Sequence, residues 1–262
     1  MALSKEIPVY QPERLDDPAF LEQIRALKPD CAIVVAFGRL LPIAFLNLFS
    51  KGAYNLHGSL LPKYRGAAPI QWALINGEKE TGVTLFKLDE QLDHGPILLQ
   101  KKIAIDPDDT SETLFPKLSL LGSAAIREGL PLLEKELVPL TPQNHSQATQ
   151  APALTKEQGR IDWTKPAEQI VNQIRGMTPW PGAFTFLNGE PVKILAAAIV
   201  PHSGASAHPG TLAQASTKEG LVIEAGHGCL QIIRLQPAAG KPMPAADFLR
   251  GHPIPPGTVF GP

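Results

Sequence analysis

The chain has 262 residues, of which 44% are apolar, so it is long enough for two domains with a sizeable hydrophobic core. Its formal net charge of -1 excludes a general electrostatic attraction to nucleic acid, and any such partner has to be bound by a local patch. Because no apolar run is long enough to cross a membrane and the first residues lack the apolar segment of a signal peptide, we expect a cytoplasmic protein with no membrane partner.

The first half of the chain alternates strand patterns with helix patterns. Ile7–Tyr10 is a predicted short strand, and Asp17-Pro18 predicts a helix start because aspartate caps a helix and proline fits its first position. Residues 31–36 are apolar on both faces, which is typical of a central parallel strand covered by helices. Further patterns predict helices at 42–49 and 69–75, a long helix capped by residues 109–111 that runs toward residue 133, and strands at 53–57, 83–88 and 97–100. This alternation predicts an α/β domain with a mainly parallel sheet.

The second half has a different pattern, and a polar segment separates it from the first. Residues 140–154 have few charges and no apolar period, so we predict a linker there between one domain at 1–139 and another at 155–262. The second domain is predicted to begin with a helix near residue 167 and to continue with short strands at 183–187, 192–198, 210–214, 221–224 and 230–235. Five short strands separated by glycine-rich turns predict a small, OB-like β-barrel.

Three polar residues of the first domain are candidates for catalysis. Asn55 and His57 are two residues apart on a strand, so their side chains project from the same face, and Asp93 lies in a turn after the next strand. Ligands bind at the carboxyl ends of strands in open α/β sheets, where these groups are expected to converge. Such a trio suits acyl transfer without a covalent nucleophile, with the amide and imidazole stabilising an oxyanion and the carboxylate managing the proton. Each residue taken alone also has an ordinary structural explanation, as a core histidine or a turn residue.

Other chemistries have less support in the sequence. The acidic and histidine residues near position 90 match no recognised metal-ligand spacing, and no metal is expected. There is no Walker-type glycine loop and no Gly-x-Ser-x-Gly elbow, so Ser59 is expected to be a loop residue rather than a nucleophile. Lys63 and Arg65 either contact a phosphate or lie in a solvated loop. Cys31 and Cys229 are far apart in the sequence, and no disulfide is expected.

Long motifs carry a resemblance to a known family. The first motif reads Asn55-Leu56-His57-Gly58-Ser59-Leu60-Leu61-Pro62 and, after Lys63, continues as Tyr64-Arg65-Gly66-Ala67-Ala68-Pro69-Ile70-Gln71, and further segments at 160–163, 179–182 and 243–251 agree with it. The chain resembles the folate-dependent formyltransferases over nearly its whole length, in particular those that act on methionyl initiator tRNA. The resemblance implies a Rossmann-like catalytic domain, an OB-like barrel that contacts tRNA, and transfer of a formyl group from 10-formyltetrahydrofolate to the amino group of the methionine.

The resemblance also implies roles for individual residues. Asn55, His57 and Asp93 match the catalytic trio of the family. Lys63 and Arg65 are expected to contact the tRNA substrate. The positions expected to contact the folate are Phe37, Gly38, Leu40, Leu41, Ser59, Leu60, Leu61, Pro62 and Asp89.

The chain departs from the family pattern in two places. It reads Leu92-Asp93-His94-Gly95-Pro96 where the family usually has Leu-Asp-Thr-Gly-Asp, which leaves a sugar nucleotide or another small amine open as the formyl acceptor. The family's first strand, helix and second strand have no counterpart here, so we expect an incomplete sheet in which the strand at 31–36 has an unpaired edge. A misplaced start, a degraded gene or a deliberate shortening would explain this and would impair activity. We expect a monomer if the sheet is completed, and a non-catalytic folate- or RNA-binding remnant is the remaining alternative.

Overall fold

The computed structural model describes residues 2–135, 138–201, 208–216, 220–255 and 257–261, and the gaps fall inside the predicted domains 1–139 and 155–262. The chain forms two compact units. The first comprises Met1–Arg65, Val83–Lys101 and Leu121–Thr149, and the second comprises Gly66–Gly82, Lys102–Leu120 and Gln150–Pro262. The domain limits at 139 and 155 stay predictions. Residues of the predicted linker are nevertheless buried, with Gln143 at 5% exposure in the first unit and Ala151 at 0% in the second.

A four-stranded sheet organises the first part of the chain. Its strands are β1 (Ala32–Val35), β2 (Ala53–His57), β3 (Glu80–Lys87) and β4 (Ile97–Ala104), and they lie side by side in that order. β1 and β2 pair parallel, whereas β2 and β3 pair antiparallel. Within the described sheet β1 is an edge strand, and Val35 is 54% exposed instead of covered on both faces as its apolar pattern predicts.

The helices of this half begin and end largely where the sequence signals predict. Their bounds are α1 (Pro18–Ala26), α2 (Ile43–Leu46), α3 (Pro69–Ile75) and α4 (Ser111–Leu133). The Asp17 carboxylate caps α1 by accepting from the backbone N–H of Phe20 at 2.9 Å. The predicted strand at Ile7–Tyr10 is wrong: these residues pair with no strand among the described residues and are exposed, because an extended segment without a ladder partner gains no β hydrogen bonds.

The core of the first unit lies between its sheet and the second half of α4. Tyr54, Leu85, Leu98 and Leu133 form one buried cluster. A Cβ added at Gly129 of α4 would lie 2.5 Å from a methyl group of Leu85, so the absence of a side chain there lets the helix approach the sheet closely.

An antiparallel sheet dominates the second unit. Its strands are β5 (Ala183–Leu187), β6 (Glu190–Val200), β7 (Leu212–Ser216), β8 (Gly220–Glu224) and β9 (Cys229–Pro237), in the spatial order β5-β6-β9-β8-β7, with the short β10 (Met243–Pro244) on β9. All five strand predictions are confirmed. The sequence patterns did not predict β10 or the helix α6 (Ala245–Gly251) that follows it.

Residues 258–261 join the two outer strands of this sheet. On one side, the backbone N–H of Leu212 at the start of β7 donates to Thr258 at 2.8 Å. On the other side, the N–H of Gly261 donates to Phe186 of β5 at 3.0 Å. The sheet is therefore closed, and together with the α/β sheet of the first half it confirms the predicted fold class of an α/β domain followed by a small β-barrel.

Helix α5 (Ala167–Met177) fills the second unit from inside. Ile170 and Ile174 belong to a large cluster with the inward side chains of the strands, and both are fully buried. The helix also packs on α3, where Gly176 lies so close to Ile75 that an added Cβ would be 2.6 Å from its side chain. None of the helices in the described ranges is both long and apolar enough to cross a membrane.

Candidate active site

Strand β2 carries two of the predicted catalytic residues. Asn55 pairs with Val34 of β1 and Phe86 of β3, and His57 pairs with Thr84 of β3. Because side chains alternate along a strand, the Asn55 amide and the His57 imidazole lie on the same face. His57 is 6% exposed, and Asn55 is partly buried.

The orientation of the His57 ring follows from a hydrogen bond to the backbone. Its Nε2 lies 2.8 Å from the carbonyl oxygen of Tyr64, and a carbonyl can only accept, so Nε2 carries a hydrogen. In the neutral ring, Nδ1 is therefore the acceptor. Tyr64 reaches this position with a φ of +63°, in the loop that follows β2. The strand and its loop thus leave one ring nitrogen available to take up a proton.

Asp93 faces that nitrogen. The distance from His57 Nδ1 to Asp93 Oδ2 is 3.7 Å, and the Asp93 residue is only 7% exposed. The two residues meet by a different route from the predicted one: β3 is antiparallel to β2, so Lys87 at its carboxyl end lies beside Tyr54 instead of His57. The loop at 88–96 bridges this difference. The structure therefore brings His57 and Asp93 together, and their catalytic roles stay predictions.

The Asn55 amide has an open hydrogen-bonding capacity. Among the described residues it has no hydrogen-bond partner, although it shares a strand face with His57. An amide group supplies two donors and an acceptor. Asn55 is therefore placed to donate to an external oxygen near His57.

The predicted folate-binding loop after β1 is accessible. Phe37 is 41% exposed, Leu40 is 70% exposed, and Leu41 is partly buried. Gly38 has a φ of +70°, which a residue with a side chain rarely adopts. Because β1 and β2 are parallel, this loop leaves the sheet at the same edge as His57. An exposed apolar loop thus borders the edge that carries the predicted catalytic residues.

Two of the residues predicted to contact the folate are buried in the loop after β2. Ser59 is fully buried, and its hydroxyl donates to the carbonyl of Lys63 at 2.6 Å. Leu61 is 3% exposed, and its N–H donates to Thr84 Oγ1 at 3.1 Å. The Ser59 hydroxyl and the Leu61 N–H thus help to fix the shape of the loop, and the contact of these residues with the folate stays a prediction. Leu60 and Pro62 are partly buried.

The charged residues predicted to bind ligands have three different environments. Lys63 is exposed, as a tRNA-contacting residue would be. Arg65 is only 8% exposed, and its contact with the tRNA stays a prediction. Asp89 accepts from the N–H of Gln91 at 2.9 Å, and its other oxygen lies 2.7 Å from His94 Nδ1, so its carboxylate is engaged within its own loop.

Sequence reasoning missed Gln143, which lies in the predicted linker. Its Nε2 donates to the carbonyls of Asp93 at 2.9 Å and Gly95 at 2.8 Å. Its Oε1 accepts from Arg65 Nη2 at 2.7 Å. A single glutamine in a segment without periodicity gives no sequence signal, because only the tertiary fold shows what it contacts.

A pair of stacked histidines lies next to this glutamine. The rings of His94 and His145 are nearly parallel, with centroids 4.0 Å apart. Arg65 Nη2 lies 2.9 Å from His145 Nδ1, which must act as the acceptor because a guanidinium only donates. Loss of hydration lowers the pKa of His145, and electrostatic interactions with His94 and Arg65 lower it further, against an opposing effect of Asp89. No group of three or more potential ligands in the described chain is arranged to hold a metal ion.

Comparison with known proteins identifies the family. The family model described as formyl transferase matches residues 2–130, and the model described as formyl transferase, C-terminal domain, matches residues 153–253. Over 259 residues the chain is 48% identical to the methionyl-tRNA formyltransferase of Myxococcus xanthus, covering 98% of this chain and 81% of that protein. This chain belongs to the methionyl-tRNA formyltransferase family. Membership of this family of transferases confirms the resemblance based on the motif that begins at Asn55.

Two further comparisons agree with the methionyl-tRNA formyltransferase family. The relative from Trichlorobacter lovleyi is 47% identical over 262 residues, covering 100% of this chain and 82% of its own. Among solved structures, an N-formyltransferase from Helicobacter canadensis in complex with folinic acid and dTDP-3-aminofucose has a TM-score of 0.68 at 21% identity, over 88% of this chain and 80% of that chain. At this low identity the structure shows a shared fold.

Proposed function

We propose that this protein transfers a formyl group from 10-formyltetrahydrofolate to the amino group of methionyl initiator tRNA, for translation initiation. The observation that carries the proposal is the pairing of His57 with Asp93 at 3.7 Å, beside Asn55, in a chain of the methionyl-tRNA formyltransferase family. Proposed partners are the folate and the initiator tRNA, which the chain would meet in the cytoplasm. Both cysteines are free, in keeping with a reducing compartment.

The residues at this edge fit a folate. The exposed loop with Phe37 and Leu40 offers an apolar surface for a flat ring system, and the Asn55 amide offers a polar group that has no hydrogen-bond partner in the described part of the chain. When bound, the folate supplies an activated formyl carbon. Apolar contact with a few polar groups is the usual composition of a small-molecule site.

The proposed roles of the three residues follow from their geometry. The Asn55 amide donates to the formyl oxygen, where negative charge develops as the amine attacks. His57 Nδ1, the acceptor in the neutral ring, takes up the proton that the attacking amine loses, and the hydrogen on Nε2 stays bonded to Tyr64. The same proton is then available to the folate nitrogen as the bond between that nitrogen and the formyl carbon breaks. The carboxylate of Asp93 then stabilises the imidazolium so formed across 3.7 Å. Binding both substrates over one strand edge also removes much of the orientational cost of the reaction.

The barrel of the second unit and Lys63 are the proposed contacts for the tRNA. The sequence as a whole is nearly neutral, so we expect a localised basic contact. Replacing Lys63, which is exposed, by Gln should weaken tRNA binding and flatten its salt dependence while leaving folate binding unchanged.

The decisive experiment is an acceptor assay on the purified chain. It is incubated with 10-formyltetrahydrofolate and, in separate reactions, with charged initiator tRNA, charged elongator methionyl-tRNA and an amino-sugar nucleotide. Formylation of the initiator tRNA alone is the expected result. Formylation of the sugar nucleotide alone would instead support the small-amine alternative, which the His94-Gly95-Pro96 sequence keeps open. Salt-dependent tRNA binding without any transfer would support a non-catalytic remnant.

A further inference from the structure

The loop that carries Asp93 is held both from within and from outside. Within it, the Asp89 carboxylate accepts from the N–H of Gln91 at 2.9 Å and lies 2.7 Å from His94 Nδ1. Residues 88–96 connect β3 to β4 without regular secondary structure, and Asp93 itself has a φ of +49°. A left-handed conformation costs a non-glycine residue energy unless surrounding contacts maintain it. The position of the Asp93 carboxylate relative to His57 therefore also depends on contacts from outside the loop.

Gln143 supplies two of these outside contacts to the backbone of the loop. The backbone of Ile97 pairs with that of Thr141 through two hydrogen bonds of 2.8 Å, and this antiparallel bridge places Gln143 beside Gly95. Both hydrogens of its amide go to loop carbonyls, one to Asp93 and one to Gly95. The amide is thus hydrogen-bonded to the backbone on both sides of residue 94.

The orientation of this amide is set by Arg65. The guanidinium donates to Gln143 Oε1 at 2.7 Å, so the nitrogen end of the amide must face the loop. Both side chains are more than nine-tenths buried, and Arg65 Nε lacks a partner among the described residues. Arg65 directly follows Tyr64, whose carbonyl holds His57 Nε2. One connected set of hydrogen bonds therefore reaches both members of the proposed catalytic pair.

We propose that Gln143 is a positioning residue that sets the separation between His57 and Asp93. This inference rests on the proposed function, because it assigns Gln143 an effect on formyl transfer through Asp93. Gln143 touches neither substrate in this role. It acts by fixing the backbone of the loop, and Arg65 acts by fixing Gln143.

Gln143→Glu tests the proposal with little disturbance of packing. A carboxylate has the shape of the amide and still accepts from Arg65, but it turns an acceptor oxygen toward two carbonyls less than 3 Å away. The loop should therefore move. We expect kcat to fall by at least about 10-fold, because a displacement of about 1 Å can cost roughly 100-fold in rate. KM for the folate should stay close to its original value. Gln147→Glu, the same change at an exposed glutamine nearby, is the matched control.

Two measurements separate this role from a merely structural one. Hydrogen–deuterium exchange should rise in peptides that cover residues 88–96 and stay unchanged in the barrel. In an Asp93→Asn background, the added change Gln143→Glu should cost almost nothing further in kcat, because both changes act on one group. Unchanged exchange in the loop, or fully additive losses, would overturn the positioning role. If the unaltered chain transfers no formyl group, the proposed function fails, and the exchange data alone still decide whether Gln143 holds the loop.

Discussion

Replacing Asp93 by Asn removes one charge and almost no volume from the proposed active site. The carboxylate oxygen lies 3.7 Å from His57 Nδ1 in a buried setting. Two unit charges at that distance attract by on the order of 4 kcal/mol when the effective dielectric constant is about 20. If His57 becomes an imidazolium in the transition state, this attraction is lost in the variant. Each 1.36 kcal/mol changes a rate about tenfold, so kcat should fall by about 1,000-fold.

Single-turnover formylation of charged initiator tRNA is the assay, with folate affinity measured separately by calorimetry. Folate binding should remain detectable, because Asp93 is not proposed to contact the folate. His57→Ala should also remove most of the turnover. Asp108→Asn makes the same chemical change at an exposed aspartate and should leave the rate unaltered. Rates within tenfold of the original for both Asp93→Asn and His57→Ala would refute the assignment.

Two predictions concern stability, measured by urea unfolding. Burial alone raises the pKa of Asp109, but hydrogen bonds, above all from Lys117, outweigh burial and lower the pKa below its ordinary value of 3.8. The ionised carboxylate therefore stabilises the fold at pH values above 3.8. This stabilisation is lost as the pH falls through the pKa of the folded state. Asp109→Asn should therefore lower the free energy of unfolding by about 2 kcal/mol at neutral pH. The difference in unfolding free energy between the variant and the original protein should shrink below pH 3.8, and a difference that stays constant with pH would contradict this reasoning. Gly176→Ala should lower the free energy of unfolding by about 1 to 3 kcal/mol, because the added methyl group would overlap Ile75. The control is Gly251→Ala, where no atom lies within 4 Å of the added methyl group, and it should be neutral or slightly stabilising. Equal effects of the two alanine substitutions would show that the contact between α3 and α5 relaxes.

Elements with strong local signals at their ends were predictable from the sequence. Pro69 fits the first turn of α3, and Asn76-Gly77 ends it, with Gly77 at a φ of +71° that suits glycine. Strand β5 likewise lies between a glycine and an Asn-Gly turn, and both of its bounds match the prediction. In both cases the residues next to the element in the sequence mark where it begins and ends, so no tertiary contact is needed to predict its bounds.

The sequence misled where tertiary contacts decide the outcome. Ile7–Tyr10 has a strand pattern, but a pattern does not supply a pairing partner. Arg65 and Gln143 are polar residues in segments that read as surface loop and linker, yet both are buried because each satisfies the other. Asn55, His57 and Asp93 were selected by their chemistry, whereas the route that brings Asp93 to His57 depends on the antiparallel pairing of β3, which no local pattern encodes.

The closure of the barrel by residues 258–261 determines when the second unit can finish folding during translation. Leu212 of β7 and Phe186 of β5 both precede this segment in the chain. Their hydrogen bonds to residues 258–261 cannot form until that segment has emerged from the ribosome. Until then β7 and the Phe186 end of β5 would each expose unpaired backbone groups, and such edges promote aggregation of nascent chains. Chaperone dependence of the second unit should therefore persist until residues 258–261 have been made.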